Sequence, residues 1–441
     1  MRSISNEVLN CNDIIKGHQL HFAITLVTRS AERVMKDKLK QFVRDYIFGA
    51  GGLVIMTGVV SFAVYPTIGR VLGIEEQGRV LFYMAIAGLL ASTFGSGANY
   101  ARMRHHAEEG STKNGEYNIF LLLSFIPIAL ITLLFTLLRR EKADFTLFFV
   151  ILLIFLTNVR QYLDVEYRLK KNFTKFFFYY FSIACGYAAG LLLFYFLYAS
   201  WILVFGLGEI FGILYVFMTG KVLRPPFFEK TEKSGAHYRT MTGISASFFL
   251  SDFVSASDRL LFPVLLTNGD ELTSIYYYSS LVGKMMSLLS SPLNGVLSGY
   301  LANEKGNLRR KRFAQIILIM LGVWIIVTAL ALAGSHVFVW LFYRDFYEAA
   351  RRFFLIANAG QVLYFICNTM MVIVLRYMKE RVQIIASAGH TAFFLLVTIP
   401  LIRAFGIRGM AWGILSANVL KFVLYSILGL LSPGGENHEK E

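Results

Sequence analysis

The sequence predicts an all-α polytopic membrane protein, with about twelve transmembrane helices in two six-helix lobes. Three observations predict it. The chain of 441 residues is 56% hydrophobic and only 16% charged, where a soluble domain carries about 25% charged residues. Its apolar runs each approach the roughly 20 residues that carry a helix across a bilayer, and none alternates as a barrel strand does. One polar stretch, 219–241, parts these runs six and six. The net charge of +15 would point to nucleic acid in a soluble protein. In a membrane protein the same excess belongs to cytoplasmic loops, so no nucleic-acid partner is expected. The three cysteines, Cys11, Cys185 and Cys367, lie far apart, which suits neither a disulfide framework nor a zinc site.

Residues 1–34 mix polar and apolar residues and lack the apolar core of a signal peptide. The sequence Met35-Lys-Asp-Lys-Leu-Lys then leads into the first span, so the natural protein is expected to start near Met35, with 1–34 a non-native or disordered extension. The N-terminal lobe, 35–218, holds spans at Tyr46–Ile68, Val80–Tyr100, Tyr117–Leu138, Phe145–Leu163, Phe176–Leu197 and Ser200–Met218. A cytoplasmic linker, 219–241, contains Arg224-Pro225-Pro226. The C-terminal lobe, 242–431, holds Thr242–Leu266, Thr273–Leu301, Phe313–Leu332, Phe353–Leu375, Val382–Ile402 and Gly409–Leu431, before a polar tail, 432–441. Loop arginines and lysines set the orientation. Clusters such as Lys36–Arg44, Arg168–Lys175, Lys221–Arg239 and Lys305–Arg312 fall on one side and outnumber those on the other. Both termini are therefore expected in the cytoplasm of a multi-pass protein of the cytoplasmic membrane.

The two halves echo each other. Span one ends in Arg70-Val-Leu-Gly73-Ile-Glu-Glu-Gln-Gly78, and span seven ends in Leu266-Thr-Asn-Gly269-Asp-Glu-Leu-Thr-Ser274. Six spans per half is even, so both halves enter from the same side, as parallel repeats do; such repeats place their site near the midplane where they meet.

With Ser257-Asp258-Arg259-Leu-Leu, Tyr276-Tyr277-Tyr278, the segment Phe342-Tyr-Arg-Asp-Phe346-Tyr-Glu-Ala349-Ala350 and the turn Phe405-Gly406-Ile-Arg-Gly409-Met-Ala411, these motifs resemble the polysaccharide (Wzx-type) flippases of the multidrug/oligosaccharidyl-lipid/polysaccharide exporter superfamily. The resemblance covers nearly everything after Met35. It implies two lobes in a V around a central cationic cavity, and a lipid-linked sugar as substrate. The lipid bilayer and other polysaccharide assembly proteins would be its partners. Thr267-Asn268 stands where many relatives have a second small apolar turn.

Within span seven, Phe248–Leu266 carries Asp252, Asp258 and Arg259. With Ser251 and Ser255 they share an arc of roughly 120° at about 100° per residue. A charge at the bilayer centre costs about 3 kcal/mol, so such residues face protein or a wet cavity. One reading is a buried ion pair that joins two helices; the other is a polar path. Arginine's planar fork suits a diphosphate, and Lys284 in span eight, among Ser287, Ser290, Ser291 and Pro292, is the second cavity cation. Arg259, Lys284, Asp252 and Asp258 are thus the candidate substrate-binding residues. Asp252, Asp258 and Glu209, the last among Gly206, Gly208 and Gly212, are candidates for coupling to H+ or Na+, as intramembrane acids can be. Lys421 near a helix end is expected to snorkel, and Arg160, Asp164 and Glu166 to be interfacial. The aromatic run 176–181 reads as a lipid-facing belt, and His105-His106 as a solvated pair without metal.

No GxxxxGK, GxSxG or HExxH motif occurs, so neither an ATP-driven pump nor an enzyme of those classes is expected, and no cofactor is called for. Three functions stay in play: flipping of a lipid-linked oligosaccharide, drug/cation antiport on the same fold, and a membrane-embedded sugar polymerase or ligase. Cavity charge argues against the second, and the short loops argue against the third.

Overall fold

The computed structural model describes Arg44 and residues 47–49, 51–109, 112–303, 310–375 and 380–431, without the side chains of 107, 287–303, 372, 375 and 380–384. The extension 1–34 and the tail 432–441 lie outside the described residues. The secondary structure there is helical. In the first lobe, α1 is Ile47–Leu72, α2 Ile74–His106, α3 Gly115–Leu138, α4 Phe145–Leu169, α5 Phe173–Phe196 and α6 Trp201–Thr219. In the second, α7 is Ser234–Leu265, α8 Gly269–Asn303, α9 Arg310–Phe342, α10 Phe354–Leu375, α11 Glu380–Phe405 and α12 Ile407–Leu431. Among the described residues, ten helices are long and apolar enough to cross a membrane. The segments α7 and α8 fall outside that set, and they are the two that carry Asp252, Asp258, Arg259 and Lys284.

Local chemistry explains the breaks. Gly73 (φ 88°) and Gly406 (φ 57°) sit in the left-handed region at the α1–α2 and α11–α12 turns, where a side chain would be strained. Asp144 and Asn172 accept hydrogen bonds from Leu147 N (3.1 Å) and Lys175 N (3.0 Å), capping α4 and α5. Several helices run longer than their sequence spans, α7 and α9 most usefully. The apolar run of α9 continues to Phe342 because Ser335 finds Asn358 (2.9 Å) and His336 finds Tyr347 (2.8 Å). Helix α7 begins at Ser234, inside the stretch expected as linker, because His237, Met241 and Ser245 recur every four residues and are buried together; Ser245 meets α2 at Gly97.

The helices alternate in direction and so define two faces. The linker face carries the connection between the lobes; the turn face carries Gly73, the α3–α4 and α7–α8 turns, and Gly406. Single π-helical turns interrupt α1 at Val60–Val64 and α2 at Ala91–Ser96. Both helices meet the second lobe. Such bulges re-aim side chains and recur at functional sites. Close packing of α5 on α6 uses Gly186, Gly190, Gly208 and Gly212, where an added carbon would overlap the facing helix, whereas the space beside Gly206 is clear.

Candidate functional site

On the turn face the lobes touch. A carbon on Gly78 would overlap the backbone of Asp270, so α2 and the start of α8 are in backbone contact. Ser274 Oγ donates to Ile74 O (2.9 Å), Arg70 Nη2 to Phe342 O (3.3 Å), and Tyr343 OH to Ser61 O. Beneath these contacts lies an aromatic layer. Tyr65 of α1 meets Tyr277 of α8 edge-on at 5.4 Å, and Tyr278 packs on Tyr343 and Phe346 at 4.2 and 5.0 Å. The tyrosines 276–278 are thus buried in the closure.

Directly below this layer stand the charges. Asp258 is 1% exposed and accepts a hydrogen bond from Lys284 Nζ. Arg259 Nε lies 3.6 Å from the other oxygen of Asp258, an ion pair without a hydrogen bond. The Lys284 ammonium sits 5.9 Å from the Tyr277 ring, while Tyr65 and Tyr277 lie within electrostatic reach of Arg259. Asn358 fixes this register: Gly283 N donates to its Oδ1 (2.7 Å), and its Nδ2 donates to Ser279 O (3.1 Å). Among the described residues, two cations thus share the Asp258 carboxylate.

Asp252, about two turns toward the linker face, is separate from this cluster. Its carboxylate accepts a hydrogen bond from Ser92, in the π turn of α2 on the opposite lobe. No cation lies within ion-pair distance of it among the described residues. From Ser247 to Arg259 the helix shows a polar edge at four-residue spacing: Ser247, Ser251 and Ser255 are exposed, and Arg259 is partly so. Serines and an arginine exposed in series on an otherwise apolar helix suit a wet cavity better than lipid.

Other candidates fall elsewhere. Glu209 is fully buried, pairs with Arg160 Nε at 2.5 Å and accepts from Tyr187 OH at 3.0 Å. It stands as a hydrogen-bonded strut between α4, α5 and α6. Arg160, Asp164 and Glu166 are buried within the protein: Asp164 accepts from Asn99, Arg168 and Tyr180, and Glu166 from Val222 N (3.0 Å). Lys421 does not snorkel. It is 6% exposed, donates to Asn368 Oδ1 (3.0 Å) and faces the Tyr364 ring at 4.8 Å. The aromatic run divides: Phe176, Tyr179 and Tyr180 are buried, while Phe178 and Phe181 are exposed. His105 lies in a helix and is buried, stacked on His237 at 3.8 Å and 2.7 Å from Tyr117 OH. His237 in turn reaches Glu116 (2.8 Å) and Glu109 (3.3 Å). Among the described residues no cluster could hold a metal. Ser287, Ser290, Ser291 and Pro292 lie outside the described side chains.

Neither a protein-family model nor a curated protein matches the chain. Solved structures do. A multidrug resistance MATE transporter of the MOP superfamily in its inward-facing conformation is 13% identical, with a TM-score of 0.63 over 86% of this chain and 96% of that one. An outward-facing MATE structure is 15% identical, with a TM-score of 0.58 over 87% and 94%. A MOP superfamily transporter from Pyrococcus furiosus, described as having a binding pocket of reversed polarity, is 13% identical, with a TM-score of 0.58 over 87% and 94%. The chain has the fold of these two-lobed transporters.

Proposed function

We propose that the protein carries a lipid-linked oligosaccharide, anchored by a polyprenyl diphosphate, across the membrane by alternating access. The observation that carries this reading is the serine edge of α7 leading to Arg259 and Lys284, which share the carboxylate of Asp258. A diphosphate would complete that cluster, with Arg259 supplying forked donors and Lys284 a point charge. Asp252, bonded across the lobes to Ser92, is the acid left to load and release a coupling proton. The contacts on the turn face support a state that offers the cluster to the linker face, which the loop charges place in the cytoplasm.

Drug/cation antiport is the second reading, favoured by the MATE neighbours. A cationic drug would meet Arg259 and Lys284 here, so the cluster favours the first. Surface polysaccharide in cells tests the choice. Arg259→Ala should abolish export with the protein at normal abundance, and Arg259→Lys should restore part of it. Normal export by Arg259→Ala, together with altered efflux of cationic dyes, would replace the first reading with the second.

A further inference from the structure

A cavity of about 370 Å³ lies on the turn face between the lobes, away from the Arg259 cluster. Arg139, Arg140 and Glu141 of the α3–α4 turn border it from one lobe, and Asp270 from the other; Leu138 and Leu266 supply apolar wall. We propose that this cavity holds the head group of an ethanolamine phospholipid, which bridges the two lobes.

The charges call for a zwitterion. Two cations and two carboxylates border one space, so an anionic head group would meet Glu141 and Asp270, and a cationic one the arginines. The hydrogen-bond inventory points the same way. Arg139 has a side chain only 6% exposed and joins Asp270 (2.5 Å) and Glu141 (3.0 Å) through Nη2. Its Nη1, and Oδ1 of Asp270, have no partner among the described residues. Both atoms are buried, so the groups that meet a head group are the exposed guanidinium of Arg140, a forked donor for a phosphate, and the part-exposed carboxylate of Glu141, an acceptor for a primary ammonium. A choline head group carries no N–H and could not donate a hydrogen bond to that carboxylate.

The source is the bilayer. On α3, Leu130, Leu134, Leu137 and Leu138 are exposed at spacings that form one stripe, and Leu138 is itself part of the cavity wall. An acyl chain lying along that stripe would deliver its head group to Arg139. Arg140, exposed and held at φ 63° at the end of the helix, stands where a phosphate would enter.

The test uses the full-length protein, stripped of lipid in detergent, with native mass spectrometry and thermal unfolding as readouts. Phosphatidylethanolamine, phosphatidylcholine and phosphatidylglycerol with identical chains are added in turn. Ethanolamine lipid should be retained about tenfold more tightly than the others and should raise the unfolding temperature most. Arg140→Gln should weaken that preference, and Thr267→Trp, which fills the cavity from an exposed turn position, should abolish it in a protein that still folds. Equal retention of the three lipids, or an undiminished preference in Thr267→Trp, would overturn the proposal. So would an equal shift with tail-less glycerophosphoethanolamine. None of these readouts involves the transported substrate.

Discussion

Asp258→Asn removes the carboxylate that Arg259 and Lys284 share. At 3.6 Å between Arg259 Nε and Asp258 Oδ1, unit charges interact by about 5 kcal/mol at an effective dielectric of about 20. Breaking a buried pair generally costs about 3–5 kcal/mol, because the surviving charge stays buried. The Arg259 and Lys284 side chains keep 23% and 19% of their surface exposed, so the lower end, about 3 kcal/mol, is the expected loss for the empty protein. A diphosphate can stand in for the lost carboxylate, each charge-assisted hydrogen bond contributing about 1.5–3 kcal/mol, or about ten- to a hundredfold in affinity. Thermal unfolding in detergent should therefore show an unstable empty variant that a short polyprenyl diphosphate rescues more strongly than it stabilises the wild type. The matching polyprenyl alcohol should rescue neither. Equal stabilisation of both proteins by the diphosphate, or an empty variant as stable as the wild type, would refute this account of the cluster.

Three further outcomes follow from the geometry. Asp252→Asn mimics the protonated acid and keeps a partner for Ser92, so transport should persist but lose its dependence on the proton gradient; unchanged gradient dependence in reconstituted vesicles would exclude Asp252 as the coupling acid. Gly78→Val would push against the backbone of Asp270, so a cysteine at Asn268 should react faster with an impermeant thiol reagent in that background, and an unchanged rate would show that the turn face does not close there. Asp270, in the same closure, is pushed up from 3.8 to about 6 by burial, with Arg139 opposing, Glu141 reinforcing, Arg79 opposing and Glu76 reinforcing. The closed state then binds the proton more tightly than the solvated, separated one. Closure is thus favoured fully below the ordinary carboxylate value and loses that favour as pH rises through about 6; the reactivity of the Asn268 cysteine should rise over that window, and Asp270→Asn should flatten the profile.

Much of the architecture could be read from the residues. Apolar runs of spanning length marked the helices, and the Gly73 and Gly406 turns occur where left-handed backbone is required. Asp258 and Arg259 could be singled out because charge in an apolar run is costly. What could not be read was which partner each charge would find. Glu209 and Arg160 are 49 positions apart, and Asp252 and Ser92 are 160 apart; neither spacing carries a signal along the chain. Lys421 looked free to reach the interface because it lies toward a helix end, but α10 covers it with Asn368 and Tyr364. The π turns that orient Ser92 and precede Tyr65 have no pattern in composition. His105 read as solvated because its partner, His237, sits across the linker in the helical start of α7, which is too polar to register as a span.

That start of α7 changes how the chain divides mechanically. His237 stacks on His105 and bonds Glu116, Ser245 lies against Gly97, and Glu229 accepts from Gly115 N at 3.0 Å. The first turns of α7 are thus fastened to the lobe that precedes them, while Asp258, further along the same helix, is fastened to α8. Gene duplication would put the seam of the protein at the linker, but the seam of the machine runs through the middle of a helix. A half-protein ending before Ser234 would lack a strut that the first lobe uses as its own, and would expose the Glu116 carboxylate. For the same reason, any rocking that parts the turn face must bend α7 or drag its lower turns along, which makes this helix the connecting rod between the lobes.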